Sequence, residues 1–243
     1  MESFRYQKAN VKLEQLEKRV GGRVYSASLP SGYSCPSAVD CLSKSDRDTG
    51  KVTDGKLTEF RCFMATIEAR STGLRNIVWN NFDLVRKAKT RQGIYEVMHE
   101  TFPHDASAIR MHVGGDMYNA EYFGAWIDLA TAHPYVLFYG YTKSIHLWVQ
   151  MLDQIPDNME LTGSKGGTHD YLLEECNLKT SHVVYHPDEA DAMGLEIDHD
   201  DSHALYPTGS FALLIHGTQP KGSVASEALK RLRAENIQYA YSK

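Results

Sequence analysis

The sequence predicts an α/β protein built as a partial (β/α)6 barrel, and three observations lead there. Six short β-forming runs recur along the chain, at 23–29, 108–113, 135–141, 159–163, 182–185 and 211–215. Helical spacing fills most of the intervals, and strands alternating with helices imply a parallel sheet with crossover helices. Nearly every run ends in polar or glycine-rich residues, as barrel strands do where their C-terminal ends gather into one mouth. A doubly wound sheet has the same periodicity, so the preference for a barrel rests on the third observation.

The first 22 residues place Val11, Leu13, Leu16 and Val20 on one helical face and predict a helical lead-in that stops at Gly21-Gly22. Residues 23–243 then make one barrel-like domain, a size that a single core supports. After the first strand, Pro30-Ser31-Gly32 breaks the pattern and a polar, turn-rich loop runs over 33–62. A loop of that length inside a compact domain is usually functional. Helices are expected at 66–70, at 79–102 with Phe82, Val85, Ile94, Val97 and Met98 in phase, and at 120–133. Others follow at 145–155, stopped by Pro156, and at 169–176, 188–193 and 223–234.

Composition narrows the function classes. With 42% hydrophobic and 23% charged residues the profile is that of a globular, enzyme-like chain. No apolar run approaches the ~18 residues of a membrane span, and the polar start is unlike a signal peptide. A cytoplasmic protein with no membrane partner is therefore expected. A formal net charge of −5 argues against a nucleic-acid-coating role. The basic residues Arg61, Arg70, Arg75 and 87–91 read as a solvated helix face.

The chemistry concentrates in cysteines. In a reducing cytosol clustered thiols point to metal binding or catalysis rather than disulfides. Three of the four, Cys35, Cys41 and Cys62, fall within 28 residues with the spacing C-x5-C-x20-C. Thiolates are soft ligands that select zinc or iron–sulfur. Zinc motifs usually pair their ligands closely and twice, which this spacing does not do. Three thiolates on a loop suit a [4Fe–4S] cube, each binding a different iron and leaving the fourth iron to another ligand. A zinc-stabilised binding module is the alternative. Cys176 reads as a structural cysteine; with His199 and Asp201 it is also a candidate fourth ligand.

Other segments carry two readings each. Asp198-His199-Asp200-Asp201-Ser202-His203 is either a hard-metal or acid–base site or a solvated turn with capping residues. Lys143, in Tyr141-Thr142-Lys143-Ser144, faces an anionic small molecule such as a carboxylate or phosphate, unless the segment only caps a helix. Ser164 opens Ser-Lys-Gly-Gly-Thr-His, which lacks the Walker spacing but fits an anion at a helix N-terminus. His112 reads as a core histidine or one facing the barrel interior. Gly114-Gly115-Asp116 makes a tight turn after a strand.

Long stretches resemble the bacteriophage gene-product-88 family: LPSGYSCPSAVDCLSKSDRDTGKVTDG with FRCFMATIEAR, IRMHVGGDMYNAEYFGAWIDLATAHPYVLFYGYTKS, LEIDHDDSHA and FALLIHGTQPKGS, from Tyr25 to Ser223. Members of that family resemble, more remotely, the radical S-adenosylmethionine superfamily, whose fold is a partial (β/α)6 barrel. The resemblance implies a radical-SAM-like fold and S-adenosylmethionine as a second cofactor beside the cluster. It further implies that Gly114, Gly115 and Asp116 correspond to the superfamily's Gly-Gly-Glu, which contacts the methionine amine. The superfamily spaces its cysteines C-x3-C-x2-C, so this loop departs from it. For a phage protein, a nucleotide or nucleic acid is the expected substrate if the protein is an enzyme. A redox, sensing or structural cluster without S-adenosylmethionine is the non-catalytic alternative.

Overall fold

The computed structural model describes residues 2–237 of the protein. The chain enters as an extended segment with Phe4 buried, and its short strand β1 (Gln7–Lys8) pairs antiparallel with β2 (Arg23–Ser26). The helix expected over the first 22 residues is therefore confined to α1 (Val11–Val20). Asn10 opens it by accepting from the Lys12 and Leu13 amides, both at 3.1 Å, and Gly21 closes it in the left-handed region at φ 66°.

The loop expected over 33–62 is partly ordered by a hairpin, β3 (Ser43–Ser45) with β4 (Val52–Asp54). Then come α2 (Phe63–Arg70), α3 (Thr72–Ala88) and α4 (Arg91–His99). The single helix expected over 79–102 is broken: Lys89 turns to φ 63°, and the Thr90 hydroxyl restarts the chain as α4 by accepting from the Gly93 amide at 3.1 Å. The remaining elements are β5 (Ala106–Met111), α5 (Ala120–Ala132), β6 (Leu137–Thr142), α6 (Ile145–Gln150) and β7 (Met159–Ser164). After these follow α7 (Tyr171–Glu175), β8 (Thr180–Val184), α8 (Pro187–Met193), α9 (Ser202–Leu205), β9 (Phe211–Leu214) and α10 (Val224–Ala234).

The sheet runs β1-β2-β5-β6-β7-β8-β9, and every pair beyond β1–β2 is parallel. Its six parallel strands stand side by side in the order the chain makes them. A doubly wound sheet needs a point where that order reverses. None occurs here, and the sheet curls in one direction into a half-barrel.

Strand alternation divides the core in two. Ile109, Met111, Phe138, Met159 and Leu161 face outward into a layer with α3, α4 and α5, where Tyr122, Phe123 and Trp126 have no exposed surface. Burying Phe123 alone contributes roughly 1.5–3 kcal/mol. Val24, Ala108, Tyr139 and Phe211 face the other way, against Leu13 and Leu16 of α1 and Ala204 and Leu205 of α9. Those two helices fill the lower part of the half-barrel and leave its upper end open.

The solvated helix face expected of the basic residues fails at Arg75, which is buried. Its Nη1 donates to the Glu68 carbonyl at 2.7 Å and its Nε to the Arg47 carbonyl at 2.9 Å, lashing α3 to α2 and to the hairpin. Among the described residues no helix is long and apolar enough to cross a membrane.

Candidate functional site

Three separate backbone devices present the cysteines. Cys35 follows a tight turn in which the Ser34 amide and hydroxyl both donate to the Pro30 carbonyl, at 3.2 and 2.8 Å. Cys41 sits on a segment held to the turn after β7: the Val39 and Asp40 amides donate to the Gly166 carbonyl at 3.0 and 3.1 Å, and Ala38 bridges Gly167. Cys62 is the residue before α2, and its amide donates to the Ser43 hydroxyl at 3.2 Å. The adjoining Arg61 amide donates to Gln219 Oε1 at 2.7 Å, tying this segment to the loop after β9.

All three cysteines are free and partly buried, and all three line one cavity of about 440 Å³ at the C-terminal ends of the strands. Gly114, Gly115 and Asp116, beyond β5, Lys143, beyond β6, and Ser164, ending β7, line the same space. Thus the structure brings Cys35, Cys41, Cys62, Gly114, Gly115, Asp116, Lys143 and Ser164 around one opening, while the candidate fourth ligands Cys176, His199 and Asp201 are not among its lining residues. The two glycines are sterically required. A Cβ on Gly114 would strike Met64 Cγ of α2 at 2.2 Å, and Gly115, at φ 87°, would meet Ser34 Oγ at 2.6 Å.

The electrostatics favour neutral thiols while nothing cationic is bound. Burial pushes the Cys62 thiol up to about 12, reinforced by Cys41 and eased by the first-turn amides of Met64 and Ala65. Burial also raises Cys35, with the charges of Asp116, Cys62 and Cys41 acting in the same sense. Cys41 is raised by burial too, but Lys143 draws it partly back. Among the described residues no group of three or more His, Cys, Asp or Glu side chains is drawn together to hold a metal ion.

Asp116 is buried and turned into the cavity wall. Its Oδ1 accepts from the Thr142 hydroxyl at 2.6 Å and the Met117 amide at 2.7 Å, and its Oδ2 from the Lys143 amide at 2.9 Å. Burial raises its pKa against those donors. The Lys143 ammonium does not project freely into the cavity; it donates to the Ser164 carbonyl and hydroxyl, each at 3.0 Å, and to the Lys165 carbonyl.

The acidic segment 198–203 is not a solvated turn: Asp198, Asp200 and Asp201 are buried and paired with Lys12, Arg19 and Arg110. Asp201, at φ 67° and fully buried, accepts from Arg110 Nη1 at 2.5 Å and from the Tyr139 and Tyr141 hydroxyls at 3.1 and 3.2 Å, and it pairs with Lys12 of α1. Burial alone would raise its pKa; Arg110 and Lys12 overcome that and hold the carboxyl at about 2. Its oxygens are thus taken, while His199 is exposed and Cys176 is not among the cavity-lining residues. The turn at Ser164 offers no helix N-terminus for an anion, because Asp170 already accepts from the Gly166 and Gly167 amides at 2.7 and 3.0 Å. His112 is buried with Nε2 3.0 Å from the Tyr122 hydroxyl, and burial lowers its pKa to about 3.

Lys12 and Arg110, both on the cavity wall, escaped the sequence reading. Arg110 had a usable signal, a charge in the middle of an apolar strand. Lys12 had none, since its partners lie nearly the whole chain away.

The fold and this opening define an α/β half-barrel protein with a thiol-lined pocket at the strands' C-terminal ends. The gene product 88 family model matches residues 3–236, and the chain belongs to that family of bacteriophage proteins. No curated protein and no solved structure matches it.

Proposed function

We propose that the cavity holds a [4Fe–4S] cluster on Cys35, Cys41 and Cys62, and that the protein is a radical-SAM-like enzyme of phage origin acting on a nucleotide or nucleic acid. The supporting observation is the convergence of three cysteines, from segments as far apart as residues 35 and 62, on the one opening that also contains Gly114-Gly115-Asp116. The donor set fits such a group. A cube asks each thiolate to reach a different iron, so it does not require the thiols to be drawn together as ligands of one ion.

When bound, such a centre supplies one electron to S-adenosylmethionine and so starts radical chemistry. The chain's own part is to bind and orient. Asp116, braced by three donors, keeps one further acceptor direction on Oδ2 for an ammonium group. The side-chain-free edge of Gly114 and Gly115 lets the Cys35 loop and α2 close over the same space. A second reading, a redox, sensing or structural cluster without S-adenosylmethionine, is favoured by the same Asp116, whose carboxyl is shorter than glutamate and already accepts three bonds.

Protein purified without oxygen is expected to be brown, with about four irons per chain. Colourless, iron-free protein would defeat both cluster readings. Release of methionine and 5′-deoxyadenosine from reduced protein given S-adenosylmethionine selects the enzyme; iron without that release selects the second reading.

A further inference from the structure

The cations on the cavity wall are not alike. Arg110 and Lys12 meet the Asp201 carboxylate, and Arg61 donates to Asp54 at 2.9 Å. Lys143 is as buried as any of them, at 6% exposure, yet its ammonium donates only to neutral oxygens: the Ser164 carbonyl and hydroxyl and the Lys165 carbonyl. Among the described residues it makes no direct ion pair, and the Asp116 carboxylate, whose pKa its charge helps to lower, acts on it only at longer range. A buried ammonium without a directly bonded counter-charge is costly even when its hydrogen bonds are made. Its backbone amide, not its ammonium, is the group that reaches Asp116.

A second anion close to the ammonium has a natural source. Three thiolates outweigh the two positive charges of either a zinc ion or an oxidised [4Fe–4S] core, so a centre bound by Cys35, Cys41 and Cys62 is net anionic. Lys143 lines the same cavity as the three cysteines. It also holds the backbone on which Cys41 rests. The residues it grips, Ser164 and Lys165, lead directly into Gly166, whose carbonyl anchors Val39 and Asp40.

We infer that Lys143 is the internal counter-charge of an anionic, thiolate-held centre and the strut that positions Cys41, rather than a direct contact for a substrate's carboxylate or phosphate. This rests on the cysteine-centre reading above, though not on S-adenosylmethionine. Removing the charge makes reduction harder, because the centre gains a further negative charge with less compensation nearby.

The test compares wild type with Lys143→Gln, which keeps a donor for the Ser164 and Lys165 carbonyls but is neutral, and Lys143→Arg, which keeps the charge. Each is loaded with iron and sulfide without oxygen, and its midpoint potential is measured. Each metal-free protein is also titrated with Co2+, following thiolate-to-cobalt absorption. Lys143→Gln should lower the potential by a tenfold shift in the redox equilibrium, ~59 mV for a one-electron couple, and weaken Co2+ binding about tenfold. Lys143→Arg should keep both near wild type. If Lys143→Gln fails to fold, Lys143→Met takes its place. Unmoved potential and Co2+ affinity in the neutral variant would overturn the assignment while leaving the cysteine centre standing. Equal losses in the Gln and Arg variants would overturn the charge role. A wild type that takes up neither cluster nor Co2+ removes the centre and this inference together.

Discussion

Two buried polar clusters share the interior of the half-barrel, and they are built on opposite terms. Below the cavity, Asp201 is saturated: Arg110, Lys12, Tyr139 and Tyr141 all meet its carboxylate, and its pKa falls to about 2. At the cysteine end the polar groups are left wanting. Three thiols are pushed up by burial, and Glu68, with no exposed surface, has one oxygen on the Ser31 amide at 2.9 Å and the other without a partner. Fully satisfied networks rigidify a core, whereas an unsatisfied buried group gives up stability that some other role must justify. The contrast supports a structural role for the lower cluster and the proposed ligand-holding role for the upper one.

The largest effect is expected at Asp201. Asp201→Asn removes the carboxylate that two buried cations share, and breaking such a pair costs ~3–5 kcal/mol. Denaturant unfolding should show it as a lower midpoint with an unchanged slope. The pH dependence has a definite sign. The folded pKa of about 2 lies below the ordinary 3.8, so this stability is present above pH ~4 and is lost as pH falls toward 2. A cost below ~1 kcal/mol would show that the lower cluster is not a structural one.

Glu68 should behave in the reverse sense. Burial raises its pKa from 4.5 to about 7, with Ser31 and Arg75 acting against the rise. A carboxyl raised on folding favours the folded state below pH ~4.5, and that advantage is lost as pH climbs to about 7. A rise of that size corresponds to ~3 kcal/mol at most. Glu68→Gln, which can still accept from the Ser31 amide, should flatten the metal-free protein's stability between pH 5 and 8 and exceed wild type at pH 8. A wild type equally stable across that range would remove Glu68 from the comparison.

The upper cluster was far more legible in the sequence than the lower. Cys35, Cys41 and Cys62 share a residue type with few uses in a polar loop, and the strand ends at 114–116, 143 and 164 follow from barrel geometry, so local signals suffice to bring them together. The lower cluster depends on long-range pairing. Asp201 meets Lys12 and Arg110, residues whose separation along the chain gives no periodic or spacing signal, and 198–203 therefore reads equally well as a metal loop or a solvated turn. The helix break at Lys89 was hidden for a related reason: apolar spacing continues in phase across it, while the left-handed turn that divides α3 from α4 leaves no glycine or proline in the sequence to mark it.

The smallest stability effect belongs to the cysteines, and there the comparison is sharpest. Cys62 occupies the N-cap of α2, where its sulfur faces the Met64 and Ala65 amides without a full capping hydrogen bond, at a position where serine is among the preferred residues. Cys62→Ser should therefore leave metal-free stability unchanged or raise it by up to ~1 kcal/mol. Cys35→Ser and Cys41→Ser should stay within ~1 kcal/mol, since each thiol is only partly buried. Iron content should move the other way, lost in each of these three variants and retained in Cys176→Ser, whose side chain lies off the cavity. If Cys62→Ser instead unfolds the metal-free protein, the thiol is holding the fold and the division between the two clusters fails. If it stabilises the fold while abolishing bound iron, a residue inferior for the helix has been kept at the one position where only its sulfur accounts for it.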